Sequence, residues 1–389
     1  RVRSGRRRVA GAWHPGDVPR IGPGGGAVRQ GELDRALKDF DQAITLDPKN
    51  APAYVNRGVA NSVKGDPAKA LADYEKAIEI NPSYAFAHYN RGNAYYDKAD
   101  YDRAIASYDE AAKLNPSDPV VFHNRGNAYA NKRDLDRAIA DQNEALKLNA
   151  SYPLALNDRG LAYGARGEFD KAVADFDTAI KLDPGNALAY YNRGLTLRNR
   201  GDLDRSIADF EAAIRINPGQ MAALYARGNA YLTKRDFGRA IADLDETIRL
   251  NPNFAMAQAY YGLSLSYSGR WQEADEAARR ALRLSPRDPF SAVYLGIASY
   301  AQFLGRNYEE AMRLARESAR QRNDFVGAYR VLAAAAGMAG QADVAEAALK
   351  DLRRVQPNIS LAWIASNMPI RHDSDRNHYL EGFRRAGLG

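Results

Sequence analysis

The sequence predicts an all-α protein, a right-handed α-solenoid of stacked helix-turn-helix units. Three observations carry that expectation. Eight glycines, Gly58, Gly92, Gly126, Gly160, Gly194, Gly228, Gly262 and Gly296, stand 34 residues apart. Alanines follow twelve residues later at Ala70, Ala104, Ala138, Ala172, Ala240 and Ala274, and prolines close units at Pro82, Pro116, Pro184, Pro218 and Pro252. A period of this length marks an array in which one helix hairpin, unable to bury its apolar face alone, stacks on its neighbours.

Taken in order, residues 1–30 read as a disordered basic leader. They hold Arg1, Arg3, Arg6, Arg7, Arg8, Arg20 and Arg29 against Asp17 alone, which is +6 of the chain's net +7, among a run of Gly and Pro. Residues 31–50 read as an N-terminal half-repeat whose helix, Asp34–Leu46, has lost its partner to that glycine run. Residues 51–288 hold seven regular 34-residue units. In the first, Tyr54, Val55, Val59, Ala60 and Val63 fall at helical spacing, and Gly65-Asp66-Pro67 then supplies a helix stop, a cap and a first-turn proline. The second helix runs through Ala70, Leu71, Tyr74, Ala77 and Ile78 to Asn81-Pro82, where proline ends it. Small Gly58 and Ala70 are expected where the two helices approach closely, with Tyr74, Phe40, Tyr108, Phe176 and Phe210 filling space toward the next hairpin.

Two divergent units are expected over 289–359. The first is longer by three residues, because Ala311 stands where 308 is due, and the turn Phe303-Leu304-Gly305-Arg306 is expected to absorb the excess. Residues 360–389 read as capping helices, Ser360–Asn367 and Arg376–Arg385, that close the last hairpin.

These positions resemble the tetratricopeptide repeat family, with specific agreement over residues 31–288: glycine at the eighth place of each unit, alanine at the twentieth, an aromatic at the twenty-fourth, alanine at the twenty-seventh and proline at the thirty-second. Departures are local, among them Ser206 for the alanine, Gln142 and Leu244 for the aromatic, Ala150 for the proline and Thr247 for the later alanine. The family implies a non-enzymatic protein-interaction scaffold that binds an extended peptide or a partner helix along its first helices.

Composition excludes several other functions. The chain has no cysteine, so disulfides and thiolate chemistry are out, and a reducing, cytoplasmic location is expected. No apolar run approaches the roughly 20 residues that span a bilayer. His14, His88, His123, His372 and His378 show no metal-ligand spacing. Gly22-x-Gly24-x-x-Ala27 has no preceding strand, so no dinucleotide cofactor is expected, and no nucleophile elbow or phosphate loop occurs. With most positive charge in the leader, nucleic-acid binding is not expected of the array.

Arg57, Arg91, Arg125, Arg159, Arg193 and Arg227 precede the repeat glycines, and five of them find an aspartate sixteen residues on, at Asp73, Asp141, Asp175, Asp209 and Asp243; the sixth finds Ser107. This pattern predicts ion pairs within each hairpin that keep a partly buried guanidinium from standing alone.

In the family, the second, fifth, sixth, ninth, twelfth and thirteenth places face the binding groove. The resemblance thereby implies a groove lined by Asn56, Phe86, Tyr89, Asn90, Asn93, Tyr96, His123, Asn124, Asn127, Asp158, Tyr191, Asn192, Tyr225 and Asn229. The asparagines at the sixth place resemble the repeat domain of O-linked N-acetylglucosamine transferases, in which such amides hold a peptide backbone. An amide suits this because it donates and accepts at once. The lysines of the carboxylate clamp, another peptide mode of the family, are replaced by Val55, Tyr89, His123, Asn157, Phe86 and Val120. The closing stretch Tyr379-Leu380-Glu381-Gly382-Phe383-Arg384-Arg385-Ala386-Gly387-Leu388 resembles the tail of bacterial proteins that join such repeats to a class III adenylate cyclase. The alternative it implies is a regulatory part of a larger signalling enzyme.

Overall fold

A computed structural model describes residues 30–389; the basic leader lies outside the described residues. These residues form helices α1 to α21, with no strand among them. They fall into two compact units, divided between Pro184 and Gly185.

The first unit contains α1 (Gln30–Leu46), α2 (Ala51–Lys64), α3 (Pro67–Ile80), α4 (Ala85–Asp97), α5 (Tyr101–Leu114), α6 (Pro119–Asn131), α7 (Leu135–Leu148), α8 (Pro153–Ala165) and α9 (Phe169–Leu182). From α2 onward they pair as hairpins, each packed on the next. The turn of the α2–α3 hairpin shows how the sequence builds it. Gly65 takes a left-handed φ of 86°, Asp66 caps α3 by accepting from the Lys69 amide at 3.1 Å, and Pro67 opens the helix. At the equivalent place Ala99 and Arg133 adopt φ of 57° and 62°, a conformation that costs a side-chain-bearing residue free energy.

The ring at the twenty-fourth place packs onto the repeat glycine of its own hairpin while sharing a core cluster with the next, Tyr74 with Ala87 and Ala94 and Tyr108 with Val121 and Ala128. A Cβ on Gly58 would stand 2.6 Å from a Tyr74 ring carbon, one on Gly92 2.5 Å from Tyr108, and one on Gly160 2.9 Å from Phe176. Glycine is required because ring carbons of the second helix stand where a Cβ on the first would sit. The arginine pairs stand as predicted: Arg125 Nη2 donates to Asp141 Oδ1 at 2.6 Å and Arg159 Nη2 to Asp175 Oδ1 at 2.6 Å, while Arg91 Nε donates to Ser107 Oγ at 3.1 Å. Arg57 also reaches Asp41 on α1, and Arg125 reaches Asp109 on α5, so each guanidinium ties its hairpin to the preceding helix.

The second unit contains α10 (Ala187–Arg200), α11 (Leu203–Ile216), α12 (Met221–Thr233), α13 (Phe237–Leu250), α14 (Ala255–Tyr267), α15 (Trp271–Leu284), α16 (Ser291–Leu304), α17 (Tyr308–Gln321), α18 (Val326–Ala339), α19 (Ala342–Val355), α20 (Leu361–Asn367) and α21 (Asp373–Arg385). The turn between α16 and α17 has the ordinary three residues, so it does not absorb the insertion. The excess falls mainly in the preceding connection, Ser285–Phe290, which has six residues where Asn81–Tyr84 has four. Gly296 is consequently out of register with the other seven glycines. It faces Phe325, and buried Ser299 takes the structural place of the repeat glycine.

Helix α21 begins three residues earlier than expected and does more than close the last hairpin. It lies on the first helices α16 and α18. Tyr379 meets Tyr300 and Phe303 edge-on at 5.5 and 5.2 Å, and the Gly382 backbone is pressed against Ala334 and Gly337. Ahead of it the Arg371 amide donates to the Tyr267 carbonyl at the end of α14, and Arg235 donates to the Asn367 carbonyl. Allowing for the three-residue shift, Tyr267, Tyr300, Phe303, Ala334 and Gly337 occupy the groove-facing ninth, twelfth and thirteenth places. The chain's own C-terminal segment therefore covers that face over its last three hairpins.

Candidate functional site

In the first unit the groove-facing places of α4, α6 and α8 are left open by the described residues and line two adjoining cavities of about 320 and 350 Å³. The smaller is lined by Asn93, Tyr96, Asp97, Tyr108, Asn124 and Asn127. The larger shares Tyr96 and Asn127 and adds Asn131, Gln142, Asp158, Leu161, Ala162 and Ala165 among others.

A hydrogen-bond web fixes the amides. Asn93 Oδ1 accepts from the Tyr108 hydroxyl at 2.7 Å and from Asn124 Nδ2 at 3.1 Å, and Asn124 Nδ2 also reaches the Tyr89 hydroxyl at 3.0 Å. Asn131 Nδ2 donates to the Tyr96 hydroxyl at 2.8 Å. Both amides line the smaller cavity, and among the described residues Asn93 Nδ2 and Asn124 Oδ1 make no hydrogen bond, which leaves one donor and one acceptor to spare.

Gln142 lines the larger cavity. It stands where Tyr74, Tyr108 and Phe176 stand in the neighbouring hairpins and packs as closely on the repeat glycine, with a Cβ on Gly126 standing 2.9 Å from Gln142 Nε2. Gln142 Oε1 accepts from His123 Nδ1 at 3.1 Å, and Gln142 Nε2 donates to Asn127 Oδ1 at 2.9 Å. His123 is buried, with Nε2 facing Asp158 Oδ2 at 3.7 Å. Asp158 also accepts from Asn157 Nδ2 at 3.0 Å.

Electrostatics is one-sided. Neither cavity is lined by Lys or Arg, and two carboxylates, Asp97 and Asp158, flank Tyr96. Desolvation pushes the Asp97 carboxyl above its ordinary range, and no cation pairs with it among the described residues. Partial burial raises the Tyr96 phenol, with smaller contributions from Asp158 and Asp97. Residues 30–184 carry 25 acidic and 20 basic side chains, whereas residues 185–389 carry 22 and 28.

The other sequence-predicted groove residues are placed as follows. Phe86 stacks on Tyr89 with ring centroids 6.3 Å apart. Asn90 is buried and its Nδ2 donates to the Phe86 carbonyl of its own helix at 2.7 Å. Asn56, on α2, lines neither cavity. In the second unit Asn192 is buried on α10, Tyr191 packs near Phe210, and Tyr225 sits against Phe254 at 4.9 Å with its phenol pushed up to about 12 by burial. Asn229 follows one turn later on α12. Sequence reasoning passed over Asp97, Asn131, Leu161 and Ala165, although they stand at the same groove-facing places. Gln142 lies on a second helix, and its departure from the aromatic was the available signal.

Among the described residues no His, Asp and Glu group of three or more is placed to hold a metal ion, and no helix is long and apolar enough to cross a membrane. Family models described as tetratricopeptide repeat or TPR repeat match residues 28–65, 63–98 and 92–132, then 120–152, then 157–220 and 225–289. No curated protein matches the chain. Among solved structures, a tetratricopeptide repeat protein from Parabacteroides merdae is 19% identical over 65% of this chain and 98% of its own, with a TM-score of 0.51. YrrB, described as a TPR protein with an unusual peptide-binding site, is 28% identical over 49% of this chain and 98% of its own, with a TM-score of 0.43. MamA is 27% identical over 41% and 94%, with a TM-score of 0.40.

Proposed function

We propose, from the premise that this chain belongs to the tetratricopeptide repeat family, that it is a non-catalytic interaction scaffold whose first unit binds an extended peptide across α4, α6 and α8. The observation that carries this reading is the pair of open cavities joined at Tyr96 and Asn127 and lined by oriented amides. An extended peptide offers one donor and one acceptor per residue, which Asn93 and Asn124 match without selecting a side chain. Each such bond contributes only about 0.5–1.5 kcal/mol net, so several repeats must act together. The corresponding places of α14, α16 and α18 already hold the chain's own segment, which leaves the earlier hairpins to a partner.

The sixth-place track first suggested by Asn56, Asn90, Asn124 and Asn192 is thereby narrowed to Asn124 together with the ninth-place Asn93 and Asn127. The reading as part of a larger signalling enzyme drew on the closing Tyr-Leu-x-Gly-Phe residues. Their packing against α16 and α18 gives those residues a structural reason within this chain.

The test is Leu161→Arg, which plugs the larger cavity from a side chain 45% exposed. Capture of decapeptides from an immobilised random library should fall about tenfold while the thermal melt stays unchanged. Undiminished capture would remove this face from the mechanism.

A further inference from the structure

We infer that the two cavities take Lys or Arg side chains of the bound peptide, which makes the ligand a basic extended peptide; this rests on the peptide-binding reading above. Four observations lead to it. Asp97 and Asp158 are the carboxylates of the two linings, one in each, and neither lining includes a Lys or Arg, although His123 Nε2 stands 3.7 Å from Asp158 Oδ2. Asp97 has no ion-pair partner among the described residues and is held partly desolvated, so an incoming cation relieves a carboxylate that the fold leaves uncompensated. The wall of the larger cavity is aliphatic, built from Leu135, Leu161, Ala162 and Ala165. Such a wall suits the methylene stem of Lys or Arg, whose charged head then reaches Asp158 beside the polar Asn127 and Asn131.

The fourth observation is the field around the site. The described part of the first unit carries a net charge of −5 by residue count, opposite in sign to the second unit, so a basic peptide is drawn to this face and an acidic one is repelled. A carboxylate-terminated ligand finds no lysine here. The amides Asn93 and Asn124 hold the peptide backbone, and the carboxylates read its side chains.

The experiment uses the full chain and an array of immobilised random decapeptides at two ionic strengths, with the double variant Asp97→Asn/Asp158→Asn as comparison. These near-isosteric substitutions remove charge and keep hydrogen-bonding capacity, and an unchanged melt establishes that the variant is folded. The expected result is enrichment of Lys and Arg in the bound sequences, weakening as salt rises. The double variant should lose about tenfold in affinity for basic peptides, two partly exposed ion pairs together amounting to about one decade, and should leave neutral peptides unaffected. Equal capture of neutral or acidic peptides, or an unimpaired double variant, overturns the inference while the groove reading survives. Capture of no peptide at all overturns both. Capture of basic peptides that appears only after residues 1–29 are removed overturns it in favour of the chain's own arginine-rich segment as occupant.

Discussion

Replacing Gly382 by Ala should destabilise the second unit, although Gly→Ala in a helix interior ordinarily stabilises by up to about 1 kcal/mol. The reversal follows from the crossing of α21 and α18. A Cβ at 382 would stand 2.6 Å from the Ala334 carbonyl oxygen and 3.1 Å from its Cα. Both are helix backbone, so neither side yields as a flexible side chain would, and α21 must move outward. Tyr379, Leu380 and Phe383, all buried, then lose contact with α16 and α18. Overpacking of this kind costs about 1–3 kcal/mol, and a net loss near 2 kcal/mol lowers the Tm of a unit this size by about 4–8 °C. Differential scanning calorimetry reads the shift, and limited trypsin digestion at Arg371, Arg376 and Arg384 reads the release of the segment. Gly31→Ala in α1, where a Cβ meets nothing within 4 Å, is the control and should be neutral or stabilising. A Gly382→Ala chain with an unchanged or raised melt and undiminished protease resistance would refute the packing argument.

Further outcomes are expected elsewhere. Ala99→Gly relieves a left-handed φ of 57° and should raise stability by about 0.5–1 kcal/mol in chemical denaturation, whereas the same exchange at an ordinary helical alanine lowers it. Asp141→Ala leaves the half-buried Arg125 without its main partner and should cost about 3 kcal/mol. The double change Arg125→Met/Asp141→Leu should cost less, because burial already pushes the Asp141 carboxyl above its ordinary range despite the guanidinium beside it. His378, lodged between Phe303 and Tyr308, is held down to about 4 by desolvation, with Arg306 and Arg385 adding to it. The unfolded chain takes up the proton first, so its stabilisation is full above about 6.5 and declines as pH falls from there to about 4. Since the ring is about half exposed, about 1 kcal/mol is expected after screening, and His378→Phe should flatten that part of the melt-versus-pH curve.

The hairpins were legible in the sequence because each is specified by neighbours within one period. Gly58 and Tyr74, Arg57 and Asp73, Gly65 and Asp66 all act within about sixteen residues. Spacing alone told less about direction. It directed Tyr74 toward the next hairpin but could not say that the ring also closes over Gly58 of its own. Gly296 shows the opposite failure, since it keeps the 34-residue count while the chain has slipped by three, and only the ring of Phe325 reveals the change of surroundings. The fold-back of the C-terminal segment was not legible at all. It rests on the Arg371 amide meeting the Tyr267 carbonyl across more than a hundred residues, a contact that no local pattern encodes.

The groove-facing places of α4 and α6 carry different chemistry from those of α16 and α18, and the difference bears on what each surface suits. On α4 and α6 the ninth and twelfth places are Asn93, Tyr96 and Asn127, polar groups with hydrogen-bonding capacity to spare. On α16 and α18 the same places, in shifted register, are Tyr300, Phe303, Ala334 and Gly337, which offer rings and bare backbone and almost no polar valence. A surface of the second kind suits a helix whose own hydrogen bonds are already satisfied, and α21, with Gly382 at the crossing, is such a helix. A surface of the first kind suits an extended chain that brings unsatisfied amides and carbonyls with it. Exchanging the two chemistries would therefore be costly in both directions. Asparagine at 334 would bury an amide without partners under α21, and an apolar ring at 127 would break the Gln142–His123 web and close the cavity proposed for an extended peptide.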